Sequence, residues 1–252
     1  MKILVFVKRV PATTARIRVA DGLRMDPEGV EFVLNPYDEF AVEEALRRKE
    51  AAGGDATVTA ITLGPPEAQK ELRTVLAMGA DEAILLTHSD AAFLDAEATA
   101  QVLAEQAEQR GPWDLVFFGK QAVDRDQHGV GPSVATRLGM PCLSEIVELE
   151  IADGKATARR EVEGASETLE APLPCAFTCQ KGLNEPRYAS LKGIMAAKRK
   201  PLETVQVDLP PAKVEVVELA PPPPRPPGRI VGEGAAAVPE LVRALREEAK
   251  VL

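Results

Sequence analysis

The stretch Gly119-Lys120-Gln121-Ala122-Val123-Asp124-Arg125-Asp126-Gln127-His128-Gly129-Val130-Gly131 is the part of this 252-residue sequence best suited to hold a small anion. Gly129 and Gly131 let backbone N–H groups come close to a ligand, and the helical pattern that follows adds the positive end of its dipole. Phosphate suits that geometry. The signal is unspecific: neither a P-loop nor a G-x-G-x-x-G run is present. Asp124 and Asp126 oppose a phosphate unless backbone does the binding, and a long surface loop is the plainer alternative. A second candidate is Asn35-Pro36-Tyr37-Asp38. Asp38 and Glu39 repel phosphate there, though the backbone could hydrogen-bond an adenine edge. An ordinary helix start, with Asn as cap and Pro at the first helical position, is the better reading. The third is Leu183-Asn184-Glu185-Pro186-Arg187-Tyr188-Ala189-Ser190-Leu191, polar, interrupted by proline and followed by a short helix with the basic end Lys198-Arg199-Lys200. Taken alone it passes for a connection, and the cations suit a helix C-terminus.

No catalytic constellation accompanies these segments. There is no nucleophile elbow, and His88 and His128 stand alone in the sequence as surface or capping histidines. Cys142, Cys175 and Cys179 are too few and too isolated from other ligands for zinc; they read as buried or half-buried free thiols in a reducing compartment. The pairs Glu43/Glu44 and Arg47/Arg48 have the spacing of helix-face ion pairs.

Elements that would position these residues alternate over the first 140 positions. Strand-like runs are Lys2–Val7, Ala56–Leu63, Glu82–Thr87 and Asp114–Phe118. Helical patterns begin at Asn35-Pro36, at Pro65/Pro66 (through Met78), at Leu94 (through Gln109) and at Gly131-Pro132 (through Leu138). Alternation of this kind predicts an α/β fold with a mostly parallel, Rossmann-like doubly wound sheet, whose ligands bind beyond the carboxyl ends of the strands. From Ser144 the pattern changes: Asp153-Gly154 between Ile146–Ile151 and Ala156–Val162 predicts an antiparallel hairpin addition, with Thr168–Glu170 and Cys175–Cys179 as further strands of it. Residues 1–200 are thus expected to form the α/β nucleotide-binding domain. Residues 201–252 are expected to form an extended arm with strand-like pieces at 205–207 and 214–219, the polyproline run 221–227 and a terminal helix, Pro239–Ala249, packed on a partner subunit.

Composition excludes whole classes. Thirty Lys+Arg against 39 Asp+Glu leave a charge of −9, unlike a general nucleic-acid binder, and 45% apolar residues are ample for a core. The early apolar run Ile3–Val7 is far shorter than the roughly 20 residues of a membrane span and has no cleavage-type sequence after it. The expectation is a chain of the cytoplasm, or of the mitochondrial matrix if eukaryotic, with no membrane insertion.

Five segments taken in order carry a resemblance: Val7-Lys8-Arg9-Val10, Asn35-Pro36-Tyr37-Asp38-Glu39-Phe40-Ala41-Val42-Glu43-Glu44-Ala45, Ala77-Met78-Gly79-Ala80-Asp81, Gly119-Lys120-Gln121-Ala122-Val123-Asp124 and Leu183-Asn184-Glu185-Pro186-Arg187-Tyr188. Together they resemble the β subunit of the electron-transfer flavoproteins over about residues 2–200, the last segment being the most specific. That resemblance implies a heterodimer with a larger α subunit that holds most of the redox FAD, and an AMP without redox role in the β subunit. It implies an electron carrier rather than an enzyme, fed by acyl-CoA and related dehydrogenases and emptied by a membrane quinone oxidoreductase. Carried onto this sequence, the AMP contacts are Phe6, Asn35, Pro36, Tyr37, Asp38, Leu63 and the loop Gly119–Val130. Residues 183–191 become the segment that docks the dehydrogenase, with Leu191 as apolar anchor. Such a carrier needs a rigid scaffold, a partner surface and a mobile docking element.

Departures from the family pattern fall in the same places. A bifurcating branch binds a second FAD instead of AMP and commonly has Asp-Gly-Asp-Thr-Ala-Gln-Val-Gly-Pro where this chain has Asp124-Arg125-Asp126-Gln127-His128-Gly129-Val130-Gly131-Pro132. Bulky Arg125 and Gln127, and the loss of a polar side chain at Gly129, favour AMP. Asp38 stands where the family is often uncharged, Leu63 often differs, and Thr13 replaces a tyrosine often found near the flavin. The competing readings are a free-standing nucleotide-binding module without redox role and an adenylating enzyme. The latter lacks its pyrophosphate loop after Val7, where Lys8-Arg9-Val10-Pro11 stands.

Overall fold

Apolar residues run without polar alternation through Lys2–Phe6, so this strand must be covered on both faces. In the computed structural model, which describes residues 1–88, 90–91, 94–225 and 227–252, it is β1 at the heart of the sheet. Ile3, Val5 and Val7 enter one apolar layer and Leu4 and Phe6 the other.

The chain continues through β2 (Arg9–Pro11), β3 (Phe32–Leu34), α1 (Pro36–Ala51), β4 (Thr57–Gly64), α2 (Gln69–Met78), β5 (Glu82–Thr87), α3 (Ala96–Arg110), β6 (Leu115–Gly119) and α4 (Val130–Arg137). It then forms β7 (Cys142–Ala152), β8 (Lys155–Val162), β9 (Ala165–Pro172), β10 (Cys175–Cys179), α5 (Leu191–Ala197), β11 (Leu202–Gln206) and α6 (Val238–Arg243). The main sheet has nine strands in the order β11-β5-β4-β1-β6-β10-β7-β8-β9. From β11 to β7 all neighbours are parallel; β7, β8 and β9 are antiparallel. Residues of α1, α2 and the end of α5 belong to the layer with Ile3 and Val5, those of α3 and α4 to the layer with Leu4 and Phe6. The predicted doubly wound sheet with an antiparallel addition is therefore present.

Several expectations need correction. Cys175–Cys179 is not a further strand of the hairpin but a buried parallel strand inserted between β6 and β7. Every residue in it is buried, and its apolar run now reads like that of β1. β7 is long enough to serve twice, pairing in parallel with β10 near its start and antiparallel with β8 from Ile146 onward, with a register shift between Ile146 and Glu148. Leu202–Gln206 pairs in parallel with β5, so sheet structure extends past residue 200.

No strand forms at 214–219. This part of the arm instead runs back over the chain's own body: the N–H groups of Lys213 and Val214 donate to Asp95 Oδ2, and Leu219 N–H to Gly22 O. Pro226, within the expected polyproline run, lies outside the described residues. The terminal helix is short, α6 being followed by a wider turn over Ala244–Glu248. Asp95 also caps α3, accepting from Ala98 N–H at 2.7 Å, which places the start of that helix just after the expected Leu94.

Candidate functional site

Strand order reverses direction at β1: β4 and β5 follow on one side, β6 on the other. The crevice beyond the carboxyl ends of β1 and β6 is the place where a sheet of this kind takes a ligand. Into it come the residues after Phe6, the start of α1 and the loop after Gly119. Phe6 and Phe118 stack beneath it, ring centroids 4.7 Å apart, and Leu63 packs partly buried against the same layer. Phe6 is nearly fully buried, so any ligand meets its backbone rather than its ring.

Asn35 and Asp38 are buried, and both direct their polar atoms inward. Asn35 makes no side-chain cap to α1, contrary to expectation. Its amide donates to Asp38 Oδ1 (2.8 Å) and to Gln121 O (2.9 Å), and its oxygen accepts from Val123 N–H (3.1 Å). Asn35 thereby stitches the 119–123 loop onto the start of α1. Asp38 also accepts from Lys8 N–H at 2.7 Å and from Gly119 N–H. Burial pushes its carboxyl up to about 7, against the pull of these donors and of the Lys8 ammonium. The approach of β6 to α1 is so close that a Cβ on Gly119 would lie 2.3 Å from Asp38 Oδ1 and 2.7 Å from the Tyr37 carbonyl carbon. Only glycine fits there.

The two acids that argued against a phosphate are both engaged. Asp124 forms an ion pair with Lys8 (2.6 Å), and Asp126, at φ 49°, accepts from Gln121 Nε2. Arg125 donates to Leu94 O at 2.8 Å. Lys120 holds its ammonium 5.2 Å from the Tyr37 ring centroid. Gln127, His128 and Gly129 are exposed at the start of α4, whose first turn carries no acid and whose cap has no side-chain acceptor. Its N-terminal amides are thus better placed for an anion than those of α1, whose first turn holds Asp38 and Glu39. The structure therefore brings Phe6, Asn35–Asp38, Leu63 and 119–130 to the same end of the sheet, beyond the carboxyl ends of β1, β4 and β6, with Asn35 and Asp38 bracing the loop onto α1.

The segment 183–191 lies along the flank of α1. Asn184 Nδ2 donates to Phe40 O (3.0 Å) and Glu44 Oε2 (3.1 Å). Arg187 embraces Glu43 through its backbone N–H (3.1 Å), Nε (2.8 Å) and Nη2 (3.0 Å), and reaches Glu50 as well. Burial raises the Glu43 carboxyl, but the hydrogen bonds from Arg187 prevail and hold it below its usual range. Leu183 and Ala189 tuck partly into the core, while Pro186 is half-buried and Glu185 exposed. Ser190 caps α5, accepting from Gly193 N–H at 3.0 Å. Tyr188 and Leu191 point outward, 98% and 79% exposed, with Ile194 and Met195 beside them.

Residues 22–210 match the model of the electron transfer flavoprotein domain. The chain is 41% identical to an electron transfer flavoprotein subunit beta of Bacillus subtilis and 42% identical to a mitochondrial one of Arabidopsis thaliana, each alignment covering all of both chains. It is also 44% identical to the caffeyl-CoA reductase-Etf complex subunit CarD of Acetobacterium woodii, over 80% of this chain and 77% of that one.

The chain belongs to the electron transfer flavoprotein family, among its β subunits.

Its relatives are named as electron transfer flavoprotein subunits, that is, as electron carriers. Burial raises the thiols, Cys142 to about 12 and Cys175 to about 11, which disfavours their thiolate forms. His128 meets Glu145 at the surface (3.2 Å), and the His88 ring accepts from Asp90 N–H. Among the described residues no cluster could hold a metal, and no helix is long and apolar enough to cross a membrane. What the residue pattern alone missed in this electron transfer flavoprotein subunit is the inward role of Glu43 and Glu44. The i,i+4 pairs with Arg47 and Arg48 do form, yet both carboxylates are buried and hold the 184–187 segment. Helical spacing points to the first pairing and carries no trace of the second.

Proposed function

We propose that this chain is the β subunit of a heterodimeric electron carrier. In this reading it binds one AMP as a structural ligand in the β1/β6 crevice and docks acyl-CoA-type dehydrogenases through residues 183–191. The supporting observation is the group Tyr188, Leu191, Ile194 and Met195, exposed on a segment that Asn184 and Arg187 brace against α1. Isolated apolar side chains at a surface need no explanation, but a contiguous group on a braced support marks a contact site. Transient redox partners use small interfaces, for which such an anchor suffices.

In the crevice, the adenine would face backbone around Asn35–Asp38 and Leu63. The phosphate would take the amides that open α4, with Gln127, His128 and Gly129 lining the approach. Lys8 and Asn35 hold the loop in place through Asp124 and Gln121. FAD, held mainly by the α subunit, supplies the redox chemistry when bound. This chain needs no acid or base of its own for electron transfer; it contributes the scaffold, part of the flavin enclosure and the docking surface. A quinone oxidoreductase of the membrane would be the outlet, and the compartment that of the dehydrogenases.

A second reading, a second flavin in place of AMP, draws on the open space around Gly129, where an added Cβ would meet nothing within 4 Å. The bulk of Arg125 and Gln127 favours AMP. Denaturing the co-purified heterodimer and separating the released nucleotides decides the matter. One FAD and one AMP per heterodimer is the expected result; two FAD and no AMP overturns it. Docking is tested separately: Leu191→Ala should slow electron transfer from an acyl-CoA dehydrogenase with flavin content intact, and equal rates refute the assignment.

A further inference from the structure

An electron carrier needs a docking element, and 183–191 is the segment assigned to that role. The contacts around it hold it from both ends. Helix α5, which begins at Leu191, is bolted to α2 by two caps of opposite direction. Lys200, just beyond α5, donates from Nζ to Leu76 O (3.0 Å) and Ala80 O (2.6 Å) at the C-terminal end of α2. Arg73, within α2, donates from Nη1 to Ala197 O (2.6 Å) and Lys200 O (2.9 Å) at the C-terminal end of α5. Each helix end thus receives a cation from the other's side, where the dipole and the unpaired carbonyls favour it.

Between these caps the helices nearly touch. A Cβ on Gly193 would lie 2.3 Å from Ala77 O, and backbone cannot yield as a side-chain tip can. On the other side of the ridge, Arg187 is held to α1 by Glu43 and Glu50. Tyr188 and Leu191 therefore stand between two fixed points, the Arg187 clamp and the Gly193 contact.

We propose that Gly193, together with the Arg73 and Lys200 caps, positions Leu191, so that the docking ridge is preformed and not ordered upon encounter. The proposal rests on the docking role assigned above. Its physical sense is entropic: a ridge already ordered loses little conformational freedom on binding, so a small interface can still capture a partner.

The test uses the complete flavin-loaded heterodimer as electron acceptor for an acyl-CoA dehydrogenase, with KM and kcat read separately. Four proteins are compared: wild type, Gly193→Ala, Leu191→Ala and the double variant. Gly193→Ala should raise KM about fivefold, the scale of coupling between neighbouring residues, with kcat and dithionite reduction unchanged. In the Leu191→Ala background the same change should raise KM by less than about twofold, because the side chain it positions is gone.

An equal rise in both backgrounds, or none in the wild type, overturns the positioning role. No effect of Leu191→Ala by itself refutes the docking assignment, a separate failure that also removes what Gly193 would position. Should Gly193→Ala fail to fold, Lys200→Met and Lys200→Arg carry the test. The methionine keeps the stem and removes the donors, so KM should rise; the arginine keeps a cation and should restore it. Equal KM values for both overturn the proposal.

Discussion

Gly119→Ala is the sharpest perturbation of the crevice. The added Cβ would sit 2.3 Å from Asp38 Oδ1, 2.7 Å from Tyr37 C and 2.8 Å from Asp38 N. Two of these atoms are backbone at the start of α1. Ordinary carbon contacts require about 3.5 Å, so the end of β6 must move away by roughly 1 Å. Overpacking of this kind costs about 1–3 kcal/mol. The Gly119 N–H bond to the buried Asp38 carboxyl stretches at the same time, adding about 1–2 kcal/mol. For a chain of this size the total corresponds to a fall of about 5–15 °C in the melting midpoint.

Gly129→Ala is the matched control. Its Cβ meets nothing within 4 Å and its φ is −87°, so stability should change by less than about 0.5 kcal/mol. The assay is a calorimetric melt of the co-purified heterodimer, paired with adenine-nucleotide content after denaturation. Gly119→Ala should melt early and lose nucleotide. Gly129→Ala should melt like wild type and lose nucleotide only where a phosphate approaches that backbone. A Gly119→Ala protein that melts within about 2 °C of wild type and keeps its nucleotide would refute the packing argument.

The pH dependence of Asp38 has a definite sign. Burial raises its carboxyl to about 7, above the unfolded value, so its contribution to stability is full in acid and lost as pH rises through 7. Asp38→Asn should therefore lower the melting midpoint more at pH 5 than at pH 8; an equal loss at both would contradict the assignment. Arg187→Ala takes the guanidinium from the buried Glu43, leaving it the Arg47 pair and the backbone N–H of residue 187, and should cost roughly 1–3 kcal/mol, while Arg187→Lys should restore little because an ammonium cannot reproduce the forked contact. Glu43 is held below its usual range, so that loss should shrink as pH falls through the carboxylate range, and chemical denaturation at two pH values would reveal it. Apo heterodimer titrated with AMP and with FAD should bind AMP more tightly, and tight uptake of a second FAD would oppose the reading of Arg125 and Gln127.

Much of this was legible in the residues because local physics dominates there. The unbroken apolar run of β1, Pro36 at the start of α1 and the turn at Asp153-Gly154 each act within a few positions, and each appears where the pattern puts it. Cys175–Cys179 departs from its pattern for the opposite reason. Five buried residues read the same whether they extend a hairpin or enter a parallel core, and only the partner strands β6 and β7 decide. The strand-like piece expected at 205–207 overlaps Leu202–Gln206 only at Val205 and Gln206, and the strand's place at the sheet edge comes from the backbone of β5.

The site divides along the same line. Gly119 stands in the sequence as an ordinary loop glycine, but the reason for it is the proximity of Tyr37 and Asp38 in α1, distant in the chain, which no spacing rule contains. Asn35 carried a correct local signal for a helix start and a wrong prediction for its side chain, because a cap and a loop brace compete for the same amide. Three bonds to the 119–123 loop and Asp38 outweigh the single bond a cap would offer. Lys200 is the clearest case. A cation after a helix was expected to serve that helix; instead it serves α2, and Arg73 of α2 answers in kind. Exchanging caps in this way makes two short elements behave as one support. A seven-residue helix has little stability of its own, so the docking ridge can be rigid only because α2 completes it.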